Sequence, residues 1–155
     1  MTTQLDSVPG RSLLDRVRVT EPHAHVIVLR LIGGAPLLLL GLAHVFVSEA
    51  PMEPLVDAAG LPFPSIVAPI GVAIEIVAGL SLLLGAWARV GGLLAIPVML
   101  GAVWTHLVVD VWPNGVDNEP PLALPIVVAI AAAYVVARGP GRWSVDRRRH
   151  HASSG

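Results

Sequence analysis

Five ionisable side chains sit in otherwise apolar sequence: Arg30, His44, Glu75, His106 and, at the boundary of its segment, Asp110. In lipid, an Arg or Asp at a helix centre costs roughly 2.5–3.5 kcal/mol, so each of these side chains should face the protein interior and find a partner there. A buried carboxylate can handle a proton or orient a ligand. An imidazole can donate to a quinone carbonyl, ligate haem iron in its neutral form, or simply bond a backbone carbonyl. These five are the candidate ligand-binding set. The catalytic assignment and the cofactor stay open, a quinone being preferred to bis-histidine haem, and no metal site is expected. The chain has no cysteine, which excludes disulfides, thiol relays, zinc–thiolate sites and iron–sulfur clusters.

The elements that must position these residues are apolar. Of 155 residues, 54% are hydrophobic and 14% charged, with a mean hydropathy of +0.72, well above a water-soluble domain. Four apolar runs stand out, at 26–48, 65–86, 90–112 and 122–138. At 1.5 Å per residue each reaches across a hydrocarbon core of about 30 Å, the fourth only just. The expected fold is all-α: an integral membrane four-helix bundle over 26–138, after a polar segment 1–25 and before a basic tail 139–155. Pro69 and Pro125 fall in first turns of this scheme, whereas Pro36 and Pro97 lie deeper, where kinks are expected.

Arginine placement sets the orientation. Arg11, Arg16, Arg18, Arg89, Arg138, Arg142 and Arg147 to Arg149 all fall on one side of the four-span scheme, while the opposite loops carry Glu49, Glu53, Asp57, Asp117 and Glu119. The positive-inside rule puts both termini in the cytoplasm of a multi-pass protein of the inner (plasma) membrane. Expected partners are the bilayer and other membrane or redox proteins or further copies of the chain; the near-zero net charge and lack of an internal basic cluster argue against nucleic acid. The first opposite loop contains a short helical stretch with Pro54 near its start and Gly60 at its end, placed as a lid over the outer end.

Spacing aligns the candidates. Arg30, Gly34, Leu37, Gly41 and His44 form one stripe, Gly71, Glu75, Gly79 and Leu82 a second, and Met99, Ala102, His106 and Asp110 a third. Glycines one turn either side of Glu75 allow a neighbouring backbone to come close. Arg30 lies about 10 Å to the cytoplasmic side of mid-segment, within reach of an extended side chain, so an Arg30–Glu75 pair is expected. His44, His106 and Asp110 share the outer part and would frame a headgroup site between the first and third segments. Trp104 reads as an interfacial aromatic, and His23, His25, His150 and His151 as surface residues.

With these residues in place, the chain resembles the DoxX family of small four-helix bacterial membrane proteins. The resemblance rests on "LRLIGGAPLLLLGLAH", "DAAGLPFP", "AIEIVAGLSLLLGAWARVGGLLA" and "MLGAVWTH", and is most specific from Glu75 to Arg89. Family members often carry lysine where this chain has His44. The resemblance implies likeness to the membrane subunit of thiosulfate:quinone oxidoreductase and to membrane complexes that handle thiol or oxidative stress. The expected function is therefore an accessory or quinone-interacting subunit of a membrane oxidoreductase. A small proton or solute carrier using Glu75, and a non-catalytic membrane scaffold, are the alternatives.

Overall fold

A computed structural model of the chain describes residues 25–47, 52–109, 121–141 and 144. Among them are five helices and no strand: α1 (Val26–Phe46), α2 (Met52–Ala58), α3 (Pro64–Leu84), α4 (Ala88–Val108) and α5 (Ala123–Arg138). Asp110, the loop with Asp117 and Glu119, Glu49, His23, His150, His151 and the arginines before residue 25 and after 141 lie outside the described residues.

The helix boundaries follow from turn chemistry. Pro64 opens α3, where a missing amide proton costs little. Pro69 is consequently inside α3 rather than in its first turn, a correction to the expected boundary. Gly85, at φ 65°, ends the helix: the amide of Ala86 reaches the Ser81 carbonyl and that of Gly85 the Leu82 carbonyl, the paired bonds of a glycine-terminated helix. Gly139, at φ 83°, follows α5, and its amide bonds the Val135 carbonyl at 2.8 Å.

Helices α1, α3 and α4 are 21 residues each, about 31 Å long. These three are long and apolar enough to cross a membrane. The sequence led us to expect four spans, but α5 has 16 residues, about 24 Å, and stops at Gly139–Pro140.

Packing is by small residues. α1 lies against α3 and α5, α4 lies against the same two helices, and α2 lies mainly on α3 with an edge on α4. A methyl group on Gly34 would sit 2.9 Å from the Gly79 carbonyl oxygen, and one on Gly79 would sit 2.7 Å from the Leu38 nitrogen. Further along, Gly41 faces Glu75 and Ile76, so α1 and α3 run antiparallel. Gly91 faces Ala78 and Ser81, and Gly92 faces Ala132 and Val136, so the other seams are equally close. Leu37, Leu82, Met99, Val128 and Val135 fill the interior, while Leu39, Leu107 and Ile130 point outward and exposed. An apolar outer surface of this extent suits hydrocarbon rather than water.

Candidate functional site

The sequence stripes bury as their periodicity requires. Arg30, Gly34, Leu37 and Gly41 on α1 and Gly71, Glu75, Gly79 and Leu82 on α3 are all buried, with His44 half-buried at the end of its row. On α4, Met99 is buried while Ala102 and His106 are half-buried.

Glu75 is 3% exposed, near the middle of α3. Its Oε2 lies 4.0 Å from His44 Nε2 and is buried without a hydrogen-bond donor. The expected Arg30–Glu75 pair does not form. Arg30, also 3% exposed, turns the other way: its Nε donates to the Leu82 carbonyl at 2.7 Å, Nη2 to the Leu83 carbonyl and Nη1 to the Pro140 carbonyl at 3.2 Å.

Side-chain direction explains the difference. Every helical side chain leans toward its own N-terminus. Because α1 and α3 are antiparallel, Arg30 leans toward the end of α3 while Glu75 leans toward its start, and the two move apart. The same tilt brings His44, leaning down α1, toward Glu75. Arg30 instead meets the Leu82 and Leu83 carbonyls at the C-terminal end of α3, which carries the negative end of the helix dipole. Gly85 makes room there: a methyl group on it would lie 2.7 Å from the guanidinium carbon and from Ser144 Cβ. Ser144, buried, bonds the Gly141 carbonyl at 3.2 Å, so the residues after α5 close over this end.

His106, near the end of α4, is on the same end of the protein as His44. Its Nδ1 bonds the Ala102 carbonyl one turn back at 2.7 Å, which fixes the ring against its own helix. Helices α1 and α4 lie diagonally, both packed on α3 and α5. The structure thus joins His44 to Glu75, sends Arg30 to the opposite end, and leaves Asp110 outside the described residues.

Three contacts lay beyond the sequence reading. Met52, at the start of α2, covers Gly71, whose added methyl would lie 3.1 Å from Met52 Cε and 3.3 Å from Sδ. Trp104, expected only at the interface, donates from Nε1 to the Ala59 carbonyl at 3.1 Å and ties α4 to the end of α2. His25, expected to be plain surface, has Nε2 2.8 Å from the Tyr134 hydroxyl, with the rings edge-on at 5.9 Å. For the first, the signal was Gly71 one turn from a buried carboxylate; for the other two, no local pattern announces the partner.

No curated protein and no solved structure matches the chain. The family model DoxX matches residues 25–107, a stretch that holds Arg30, His44, Glu75 and His106 together with α2. On that match, which spans more than half of the sequence, the chain belongs to the DoxX family.

Proposed function

We propose that this DoxX-family chain is a multi-pass four-helix bundle of the bacterial plasma membrane that holds a quinone head at Glu75 and His44 as an accessory subunit of an oxidoreductase complex. The observation that carries this reading is Glu75 Oε2, buried 4.0 Å from His44 Nε2 with no hydrogen-bond donor. Leaving such an oxygen unsatisfied costs about 1–3 kcal/mol, more if it is charged, and a ligand with a polar head would repair the deficit. His106 lies at the same end of the protein, on α4.

The placement of α5 beside α1 and α4 supports its counting as a fourth, shorter span. Arg89 and Arg138 lie at the Arg30 end, whereas Glu53 and Asp57 lie with α2 at the other, which supports cytoplasmic termini. Purification in mild detergent followed by mass spectrometry of the extracted lipids tests the reading: a quinone is expected with the wild-type protein and is depleted from Glu75→Gln.

The same buried carboxylate beside an imidazole favours a second reading, a proton or solute carrier. Proteoliposomes would then show proton movement that Glu75→Gln abolishes; absence of such flux removes it. A pure scaffold would tolerate alanine at His44 and His106 in every assay but partner binding.

A further inference from the structure

The Glu75 carboxylate is sealed, yet the seal differs from side to side. Toward α1 it is closed by backbone-level packing: a methyl group on Gly41 would lie 3.0 Å from Glu75 Cβ and 2.8 Å from Ile76 Cγ1. Toward the Arg30 end, the Gly34–Gly79 contact closes the same seam as tightly. One turn the other way the covering atom is not backbone but the tip of Met52 over Gly71. Methionine has three rotatable bonds and no branching, so it yields easily.

Met52 is carried by α2, seven residues long, too short to be stable as an isolated helix. Burial of Val56 and Ala59 and the Trp104 Nε1–Ala59 carbonyl bond hold it down. Short elements held by few contacts open at low cost compared with global unfolding.

We propose that Met52 is a movable plug over Glu75 and that the Trp104–Ala59 hydrogen bond is its latch, so that an amphiphile with an apolar tail and a hydrogen-bonding head enters from the His44 end when α2 lifts. The proposal rests on Glu75 as the ligand-facing group, the reading given above, and adds the route and the residues that control it.

Dicyclohexylcarbodiimide, a lipid-soluble carboxyl reagent, reports access to Glu75 without any quinone. The full-length protein in native membranes is labelled over time, and the Glu75 peptide is quantified by mass spectrometry. Trp104→Phe is expected to label roughly fivefold faster than wild type, about the effect of one lost hydrogen bond, and Met52→Ala, which uncovers Gly71, should also label faster than wild type. Met52→Leu, which keeps the bulk, should label at the wild-type rate, and none of the three should lower the thermal midpoint by more than a few degrees. Unchanged labelling in both Met52→Ala and Trp104→Phe overturns the proposal. Added short-chain quinone should protect Glu75 in every variant; faster labelling without any protection would retain the plug and reject the quinone.

Discussion

His44 Nε2 on α1 stands 4.0 Å from Glu75 Oε2 on α3, so an imidazole and a buried carboxylate face each other across the glycine-lined seam of these two helices. Neither their contact nor the surrounding glycines supplies a hydrogen bond to Oε2. A group kept for stability alone would be better paired, and the consequences can be measured.

Glu75→Leu should fold as well as the wild type or better. Replacing a buried, unsatisfied oxygen with a methyl group of similar bulk removes a desolvation penalty, a gain of about 1 kcal/mol. Thermal unfolding in detergent checks this, and a loss of several kcal/mol would make Glu75 architectural.

Arg30→Leu should be strongly destabilising, by about 3 kcal/mol or more, because the Leu82, Leu83 and Pro140 carbonyls lose a charged donor together. Quinone retention per folded molecule should not change, since Leu82 is seven residues, about 10 Å, along α3 from Glu75. The thermal midpoint and the quinone-to-protein ratio, measured on one preparation, separate the two effects.

The glycines of the seam divide sharply. Gly79→Ala places a methyl 2.7 Å from the Leu38 nitrogen, backbone that cannot rotate away, and should cost about 1–3 kcal/mol. Gly101→Ala meets nothing within 4 Å and should instead gain about 0.5–1 kcal/mol from helix propensity. Parallel unfolding curves of the two variants test the packing directly.

Topology is open to the same kind of test because the chain has no cysteine. Asp57→Cys, exposed after the middle of α2, should react with a membrane-impermeant maleimide in intact cells. Trp87→Cys, exposed between α3 and α4 at the opposite end, should react only after lysis. The reverse pattern would invert the orientation.

Much of this arrangement could be read from periodicity. The stripes through Leu37, Gly79 and Met99 depend only on the helical repeat and on small residues seeking close contact, and they bury accordingly. Even α2 was visible, between Pro54 and Gly60. The partner of Glu75 was not, because depth along a helix axis ignores the tilt of the side chain: Arg30 and Glu75 lean apart, while His44 and Glu75 lean together. Trp104–Ala59 and His25–Tyr134 join residues 45 and 109 positions apart, and no local pattern encodes such pairs.

The most direct measurement is the quinone-to-protein ratio of wild type and Glu75→Gln after purification in mild detergent, with thermal midpoints recorded on the same samples. Loss of one strong hydrogen bond corresponds to about a tenfold drop in retention. The account predicts that drop with an unchanged midpoint; equal retention in the two proteins, or a wild type that carries no quinone, would contradict it.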